Sequence, residues 1–473
     1  MGVYKPCDIR GHADHELSPE LYRIWGRALG ARVGAREKFV VGGDIRASTP
    51  RFMAALIEGL CQSGASVVDL GILPTPMVYY ARRRLKAAAC AIVTASHRPG
   101  EINGLKWTIG SDPPAPEEVA ALERAARACC PDVPNGKCGS FRTLDISYDY
   151  VAWLQQRWVQ DEPLELRVVV DPMRGCAGRK ARRYLQAVFP KAPVRAIRDE
   201  PDSRFGGGVP DPTRHEHLEE LSRAVEHERA DLGVALDGDG DRVAFVDDDA
   251  NVLTAEEATS ILLDSFGSAL EGEAVVLDLK FSDRLTEKAE TLGAKPLVER
   301  SGHAFLRRRM LDSRAVFGAE ISGHYFFGEL EGGDDGLFAA CRMIDYLGRS
   351  KQPLSALCRG CPATFMTPEI RVPVRPHDHA AVIDHVQAHW LQYPHRLTDG
   401  VRVDFPDGWA LVRSSVTDEG LTFRFEARDW TSLDTLVWRF SDGLPHAGDA
   451  LWARYEEVMG KHCHPGFGAS EEK

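Results

Sequence analysis

One pattern recurs three times along the chain: a short apolar run that ends in aspartate. The runs end at Asp44, Asp171 and Asp278, which lie 127 and 107 residues apart. A helix-length stretch and a second short apolar run follow each of them, and this order is typical of a strand-helix-strand crossover unit. Because the intervals have the size of domains, the sequence predicts three related α/β domains in tandem.

A third apolar run in each repeat leads into one of the most polar loops of the chain. These loops are residues 94–97, 237–242 and 320–324. Another apolar run follows each loop, so each loop is predicted to join two strands. Ligands of open α/β sheets bind beyond the strand ends, and three equivalent loops that face inward would line one cleft.

The chain beyond residue 362 follows a different pattern. Apolar and polar residues alternate over short stretches, with helical stretches between them, which is typical of a small α+β domain. The predicted fold class is α/β, with three tandem related α/β domains that have mixed sheets, plus a C-terminal α+β domain, around a central cleft. The predicted domains are residues 1–146, 147–250, 251–362 and 363–473.

Three carboxylates stand at alternate positions, separated by glycines, at Asp237, Asp239 and Asp241. Carboxylate oxygens suit Mg²⁺ or Ca²⁺, and the glycines let the backbone fold tightly enough to aim all three side chains at one point. An EF-hand would need Gly and Glu at its sixth and twelfth positions, where this chain has Arg242 and Asp248. The pattern therefore predicts a metal-binding loop between two strands, with a solvated acidic turn as the alternative.

Ser96 is the candidate phosphoryl carrier. His97 follows it directly, and Lys106 lies ten residues further on. A serine near a divalent metal and a lysine can carry a phosphoryl group, although Ser96 could instead cap a helix or a turn. The chain has no Gly-x-Ser-x-Gly, Walker-type or dinucleotide-binding glycine motif, which argues against the common serine hydrolases and nucleotide-binding motifs.

The third loop carries groups that suit a sugar. Glu320, Ser322 and His324 can accept and donate hydrogen bonds to ring hydroxyls. His303 could act as a general acid-base group or could be a loop histidine with a purely structural role.

The C-terminal domain contributes a candidate phosphate-binding segment. Arg413 is followed at positions i+2 and i+4 by Ser415 and Thr417. A guanidinium fork and two hydroxyls on one face of an extended segment can bind a phosphate. The same residue types are common on an exposed strand face, which stays the alternative.

Charge and hydropathy limit the classes of partner. A formal net charge of −12 argues against a nucleic-acid-binding surface, but a local basic pocket for an anionic small molecule is compatible with it. No run of 18 or more apolar residues occurs, and no signal-peptide pattern opens the chain, so no membrane association is expected. Eleven cysteines, an odd number in a long chain, fit reduced thiols and a cytoplasmic protein.

Taken together, these loops resemble those of the α-D-phosphohexomutase superfamily and, within it, the phosphomannomutase/phosphoglucomutase branch. The resemblance covers essentially the whole chain. It is carried by segments similar to the family's N-terminal motif, phosphoserine loop, metal loop, sugar loop and phosphate loop, which are residues 7–11, 94–106, 237–242, 320–324 and 413–417.

The resemblance implies an enzyme that reversibly moves a phosphoryl group between C1 and C6 of mannose or glucose phosphate. Its mechanism would use a phosphoserine, one Mg²⁺ per chain, and hexose 1,6-bisphosphate as intermediate and activator. The partner would be a small sugar phosphate, with neither nucleic acid nor membrane, and the protein would be a monomer or weak homo-oligomer. A phosphoglucosamine mutase, a metal-dependent sugar phosphatase and a non-catalytic sugar-phosphate sensor stay open as alternatives.

The resemblance also implies a role for each matching residue. The implied catalytic residues are Ser96, Lys106, His303, Arg10 and Arg242. The implied metal ligands are Ser96, Asp237, Asp239 and Asp241. The implied substrate-binding residues are His97, Lys280, Arg300, Glu320, Ser322, His324, Arg413, Ser415 and Thr417.

Four positions depart from the family pattern: Cys7, Arg98, Val416 and Asp418. Arg98 adds positive charge beside the phosphoserine loop. Asp418 would repel a phosphate bound at the neighbouring segment, and we therefore expect it to point away from that segment.

Overall fold

The computed structural model describes residues 2–128, 139–158, 164–414, 420–445 and 447–459. The chain divides into two compact units. The first unit comprises Met1–Leu277, Ala289–Val298 and Gly302–Cys361, and the second comprises Asp278–Lys288, Glu299–Ser301 and Pro362–Lys473. Across the described residues, no helix combines the length and the apolarity needed to cross a membrane.

The first sheet has parallel strands at its centre and antiparallel strands at one edge. Its segment contains β1 (Ile9–His12), α1 (Pro19–Val33), β2 (Lys38–Gly43), α2 (Thr49–Gln62), β3 (Ser66–Ile72), α3 (Thr75–Arg84), β4 (Ala89–Val93), β5 (Ile102–Ile109), α4 (Pro116–Arg127) and β6 (Phe141–Thr143). The strand order is β1-β5-β4-β2-β3-β6, and β5 is antiparallel to both β1 and β4. Every residue of β4 is buried, as expected for a central strand that is covered on both faces.

The second sheet repeats this plan. Its segment contains α5 (Ser147–Arg157), β7 (Val168–Asp171), α6 (Ala181–Val188), β8 (Val194–Ala196), α7 (Glu219–Glu228), β9 (Leu232–Leu236) and β10 (Val243–Val246). The strand order is β10-β9-β7-β8, with β7, β8 and β9 parallel and β10 antiparallel to β9. The reversal between β9 and β10 is the loop of alternating aspartates.

The third sheet is also mixed. Its segment contains α8 (Ala255–Asp264), β11 (Ala274–Asp278), α9 (Asp283–Thr291), β12 (Lys295–Glu299), α10 (His303–Ser313), β13 (Phe317–Ala319), β14 (Tyr325–Phe327), β15 (Gly333–Asp334), α11 (Gly336–Ser350) and α12 (Leu354–Arg359). The strand order is β12-β11-β13-β14-β15, with β13 parallel to β11 and antiparallel to β14. Arg314 ends α10 in a left-handed conformation at φ 54°, and β13 begins at Phe317.

The fourth sheet is antiparallel and lies in the second unit. Its segment contains β16 (Phe365–Met366), β17 (Ile370–Val372), α13 (His379–His389), β18 (His395–Arg396), β19 (Val401–Phe405), β20 (Gly408–Ser414), β21 (Leu421–Ala427), α14 (Trp430–Asp442) and α15 (Gly448–Met459). The strand order is β16-β21-β20-β19-β18, and β17 also pairs with β21. Alternate apolar residues of β19 to β21 pack with α14 in one core, which includes Val403, Phe423, Phe425, Leu436 and Phe440.

The fold predicted from the sequence is therefore confirmed as three tandem α/β domains with mixed sheets, followed by a C-terminal α+β domain. One sheet lies within each predicted domain. The domain boundaries themselves stay predictions. Each polar loop leaves a parallel strand and returns as an antiparallel neighbour, so the three loops are structurally equivalent.

Candidate active site

The three polar loops meet within the first unit. The Ser96 hydroxyl, in the β4–β5 loop, donates a 2.8 Å hydrogen bond to Asp237 Oδ2 in the β9–β10 loop. The β13–β14 loop brings His324 Nε2 to 3.4 Å from Asp241 Oδ1. The backbone also joins the second and third loops, because the Val243 N–H donates to Gly323 O at 3.0 Å.

The metal loop is organised by one oxygen of its first aspartate. Asp237 Oδ1 accepts hydrogen bonds from the N–H groups of Gly240, Asp241 and Arg242 at 2.9, 3.1 and 3.2 Å. Gly240 has φ 75°, a left-handed conformation that favours glycine. The backbone N–H groups of the turn therefore occupy Asp237 Oδ1, and Oδ2 accepts the hydrogen bond from Ser96.

In the second aspartate of the loop, Asp239, the hydrogen bonds also go to one carboxylate oxygen. Asp239 Oδ2 accepts hydrogen bonds from Thr75 Oγ1 at 2.7 Å and Lys106 Nζ at 2.9 Å, and Thr94 Oγ1 lies 3.2 Å from it. Lys106 Nζ also donates to Asp241 Oδ2 at 2.5 Å. One oxygen of each carboxylate is thus occupied by donors from the first domain.

The remaining oxygens fit a divalent cation. Asp239 Oδ1 is buried and accepts no hydrogen bond from any described residue, whereas the buried Asp241 Oδ1 faces His324 Nε2 at 3.4 Å. One carboxylate oxygen from each of Asp237, Asp239 and Asp241 lies within 4.8 Å of the others. Buried anionic oxygens without donors are costly unless a cation binds them, and hard oxygen ligands suit Mg²⁺ or Ca²⁺. The acidic triad can therefore hold a metal ion beside the Ser96 hydroxyl.

Ser96 has an unusual backbone conformation. Its φ of 53° lies in the left-handed region, which residues with a side chain rarely adopt. Its N–H donates to Thr94 Oγ1 at 2.9 Å, and its hydroxyl lies 3.3 Å from His97 Nδ1. The residue is 1% exposed. Ser96 lies in the β4–β5 loop and its hydroxyl donates to Asp237, which argues against the alternative of a helix or turn cap.

The titratable groups around Ser96 have strongly altered proton affinities. Burial opposes the charge of Lys106, yet Asp239 and Asp241 hold the pKa of Lys106 well above its usual value. Burial, with Lys106 and His324 nearby, lowers the pKa of His303 to about 3. Despite burial and Arg242, the carboxylate of Asp241 raises the pKa of His324 to about 9. At neutral pH the site therefore combines a charged Lys106, a charged His324 and a neutral His303.

The predicted sugar-binding residues lie beside His303. Ser322 Oγ is 2.8 Å from His324 Nδ1, and Glu320 Oε1 accepts the N–H of Gly302, the residue that precedes His303. The rings of His303 and His324 lie 5.9 Å apart between centroids. The β13–β14 loop and the first residue of α10 thus form one polar cluster next to the acidic triad.

Three further cationic or basic groups surround the same loops. Arg242 Nε lies 4.0 Å from Asp237 Oδ2, and its Nη1 lies 4.0 Å from Asp211 Oδ1. Arg10 pairs with Asp8 at 2.7 Å. Burial, Arg242 and Arg10 lower the pKa of His97 well below its usual value. The predicted residues Arg10, His97 and Arg242 are therefore close enough to influence one another electrostatically.

The other predicted substrate-binding residues belong to the second unit. Lys280 Nζ donates to Glu369 at 2.8 Å, and Arg413 donates from both Nε and Nη2 to Asp399 Oδ2 at 2.7 Å. Arg300 also belongs to this unit. The remaining segment that we singled out, Ser415, Val416, Thr417 and Asp418, lies outside the described residues, so the expected orientation of Asp418 stays a prediction.

Sequence reasoning missed three residues of this site. Thr75 and Asp211 carry no motif that marks them. Asp334 lies 3.8 Å from His324 Nε2, and burial next to Asp241 raises the pKa of Asp334 to about 6. Only an alignment of many related sequences would have signalled these positions, because their partners are distant in sequence.

Comparison with known proteins agrees with this geometry. Residues 3–128, 148–250 and 255–365 match the descriptions "Phosphoglucomutase/phosphomannomutase, alpha/beta/alpha domain I", "domain II" and "domain III". A phosphomannomutase/phosphoglucomutase of Pseudomonas aeruginosa is 32% identical over 455 residues, which are 95% of this chain and 96% of that protein. A phosphoglucomutase of Neisseria gonorrhoeae is 29% identical over 461 residues, which are 95% of this chain and 98% of that protein.

A solved structure agrees as well. It is that of a phosphoglucomutase/phosphomannomutase family protein from Burkholderia thailandensis, which is 29% identical, has a TM-score of 0.86, and covers 94% of this chain and 98% of its own. Domain matches, relatives and structure thus point the same way over nearly the whole length. The chain therefore belongs to the phosphoglucomutase/phosphomannomutase family of the α-D-phosphohexomutase superfamily.

Proposed function

We propose that this chain is a phosphohexomutase that reversibly moves a phosphoryl group between C1 and C6 of mannose or glucose phosphate, with Ser96 as the carrier. Hexose phosphate mutase activity is the activity of the family to which the chain belongs. The observation that carries the proposal is the 2.8 Å hydrogen bond from Ser96 to Asp237, beside a buried Asp239 oxygen that accepts no hydrogen bond from any described residue.

The proposed reaction begins with Ser96 phosphorylated. The phosphoryl group leaves Ser96 Oγ for a sugar hydroxyl, which gives a hexose 1,6-bisphosphate. After the bisphosphate reverses its orientation, its other phosphoryl group returns to Ser96 and the isomeric monophosphate leaves. Small amounts of hexose 1,6-bisphosphate would also phosphorylate the resting enzyme and so activate it.

Two groups are proposed to move protons in this exchange. His303 is neutral near pH 7 and would accept the proton of the attacking hydroxyl. Lys106, which Asp239 and Asp241 keep protonated, supplies positive charge at the site and is the proposed proton-transfer partner of Ser96 Oγ. One Mg²⁺ on Asp237, Asp239 and Asp241 would neutralise charge on the transferring group. Arg10 and Arg242 would add positive charge to the same place.

Substrate binding is proposed for two groups of residues. Glu320, Ser322 and His324 would bind ring hydroxyls, with His97 next to the reacting phosphate. The distal phosphate would bind to Lys280, Arg300, Arg413, Ser415 and Thr417. The Arg413 fork already has a carboxylate partner in Asp399, so a bound phosphate would share or displace that partner.

The proposed working form is a monomer or weak homo-oligomer in the cytoplasm. The odd number of cysteines in a long chain supports a reducing compartment.

The test is conversion of mannose 1-phosphate and glucose 1-phosphate to their 6-phosphates, with Mg²⁺ and a trace of hexose 1,6-bisphosphate. Ser96→Ala should abolish turnover, whereas Ser268→Ala, at an exposed serine away from the site, should retain it. Release of inorganic phosphate instead would show a phosphatase. Turnover of glucosamine phosphates alone would show a phosphoglucosamine mutase, and binding without any turnover would show a sensor.

A further inference from the structure

Arg46 is a completely buried arginine whose guanidinium is occupied by the Ser96 loop. Its Nη2 donates to Ser96 O and to Arg98 O, each at 2.7 Å, and its Nη1 donates to Pro99 O at 3.0 Å. Its Nε lies 2.9 Å from Asp44 Oδ2, and neither side chain of this pair is exposed. Three carbonyl groups of one loop thus converge on a single guanidinium.

Asp44 reaches Ser96 by a second route. Its Oδ2 accepts a 2.7 Å hydrogen bond from Thr94 Oγ1, and Thr94 Oγ1 accepts the N–H of Ser96 at 2.9 Å. The carbonyl of Ser96 is bound by Arg46 and its N–H by Thr94, and both of these residues are bound to Asp44. The peptide groups on both sides of the Ser96 Cα are therefore held by one buried network.

This network acts on a backbone that would otherwise relax. A left-handed conformation costs a residue with a side chain about 1–2 kcal/mol, and Ser96 has φ 53°. The Ser96 carbonyl also packs against Gly238, where a Cβ would lie 2.6 Å from it. Such conformations persist only where the surroundings over-determine them. The Arg46 guanidinium is further covered by the Phe205 ring, with 5.0 Å from Cζ to the ring centroid.

We propose that Arg46, held by Asp44, is a positioning residue that keeps Ser96 in the left-handed conformation in which its hydroxyl faces Asp237. The inference rests on the proposed function, because positioning matters only if Ser96 carries the phosphoryl group. The hydroxyl must return to the same place after each transfer, and a misplacement of about 1 Å can reduce a rate by about 100-fold.

The second domain provides a matched control for the buried ion pair. Arg198 Nε lies 3.1 and 2.9 Å from the two oxygens of buried Asp171, which occupies the strand end equivalent to Asp44. Arg198 Nη2 donates to the carbonyl of His217 at 2.9 Å. The pair thus joins an arginine to a buried aspartate as Arg46 and Asp44 do, but the Arg198 side chain is 16% exposed and binds one carbonyl, which lies in the second domain.

The experiment compares Arg46→Lys with Arg198→Lys. Lysine keeps the charge beside the aspartate but cannot reproduce the planar fork that binds several carbonyls. We expect Arg46→Lys to lower kcat by about 100-fold, while calorimetric Kd for the sugar phosphate changes by less than about threefold. Arg198→Lys should also lower Tm, by less because Arg198 is partly exposed and binds one carbonyl, and should leave kcat within about threefold of wild type. Equal kcat values for the two variants, or a Kd that rises in proportion to the loss, would overturn the proposal.

A second readout does not depend on activity. Amide hydrogen exchange in the segment that contains Ser96 should accelerate in Arg46→Lys and stay unchanged in Arg198→Lys, because only the first variant releases the loop. If the wild-type protein has no mutase activity, the proposed function fails while this exchange measurement still tests the positioning role. Unchanged exchange in both variants would refute that role.

A milder variant covers the case in which Arg46→Lys does not fold. Phe205→Leu keeps an apolar cover over the guanidinium but removes the aromatic face. We expect kcat to fall by about fivefold, with Kd unchanged, since a weaker cover loosens the guanidinium without breaking its hydrogen bonds. If Arg46→Lys does not fold and Phe205→Leu has the kcat of the wild type, Arg46 has a purely structural role. This outcome would contradict the proposal.

Discussion

At the scale of single residues, a glycine sets how closely the metal loop approaches the Ser96 loop. A Cβ on Gly238 would lie 2.6 Å from Ser96 O and 2.9 Å from a Pro210 side-chain atom. We expect Gly238→Ala to push the two loops apart and to lower kcat by at least about tenfold. Steady-state kinetics check this, with Gly208→Ala as control because its Cβ would meet nothing closer than 3.6 Å. Equal activity of the two variants would contradict the prediction.

The second prediction concerns His303. Burial and the nearby charges of Lys106 and His324 lower the pKa of His303 to about 3. Because the imidazole is neutral throughout the range from about pH 6 to 9, it does not titrate there. We expect His303→Asn to reduce kcat/KM by about 100-fold or more, and by the same factor at every pH in this range. Steady-state kinetics at several pH values give the ratio of kcat/KM of the wild type to that of His303→Asn. If this ratio changes with an apparent pKa near 6.5, His303 titrates in the free enzyme.

Site residues can be predicted from sequence where their chemistry is visible locally. The spacing of the alternating aspartates and their glycines is enough to predict a cation site. Thr75 could not be predicted in this way, because the Asp239 oxygen that it binds lies 164 residues away in sequence. The same applies to Arg46, which looks like any strand-end arginine until the loop carbonyls are seen around it.

At the scale of elements, the start of α11 ties two domains together. Asp335 caps the helix by accepting the Phe338 N–H at 2.9 Å, and it also accepts the hydroxyl of buried Tyr150 at 2.7 Å. We expect Asp335→Ala to cost about 2–4 kcal/mol, since it removes a cap and leaves a buried hydroxyl without its partner. Chemical denaturation measures this. Asp429→Ala, which removes the cap of α14 and an exposed contact with Arg428, should cost about 1 kcal/mol, and equal losses would contradict the role of Tyr150.

A pair within the second unit should make stability depend on pH. Burial opposes ionisation of Glu369, but Lys280 at 2.8 Å lowers its pKa from 4.5 to about 2. A carboxylate with a depressed folded pKa stabilises the protein above its unfolded pKa, and this contribution disappears as the pH falls from about 4.5 to 2. We expect Glu369→Gln to destabilise the protein by about 2 kcal/mol near pH 6 and by much less near pH 3.

Thermal unfolding between these pH values provides the measurement. The control is Glu457→Gln at a solvent-exposed partner of Arg454, which should have little effect at either pH. A Glu369→Gln effect that stays constant from pH 6 to pH 3 would show that the Lys280 pair does not lower the carboxyl pKa.

Elements themselves were largely predictable. The strands of the fourth sheet follow the expected alternation of apolar and polar residues, as β19 does over Val401–Phe405. Helix ends were harder to predict, because caps such as Arg314 adopt left-handed backbone conformations that the residue type does not indicate.

At the scale of the whole molecule, the acidic triad should couple metal binding to stability. Asp237, Asp239 and Asp241 bring three buried carboxyl groups together, and Lys106 and His324 offset part of their negative charge. We expect Mg²⁺ to stabilise the protein by about 2.7 kcal/mol at roughly 100 times its Kd, and EDTA to reverse this. Thermal unfolding with and without Mg²⁺ checks it. Asp239→Asn should lose most of the stabilisation, whereas Asp249→Asn, on an exposed neighbouring turn, should keep it; equal responses would place the cation elsewhere.

By itself, the sequence determined the repeated α/β plan, the separate C-terminal domain, and the chemistry of the loops. These follow from hydrophobic periodicity and from residue types that lie close together along the chain. Only the tertiary structure decided which oxygen of each aspartate accepts hydrogen bonds. It also decided that His303 is neutral and that Asp44 and Arg46 bind the Ser96 loop. Each of these depends on burial and on partners from distant segments, and the free energy of a buried charge or hydrogen bond is set by those surroundings rather than by the residue itself.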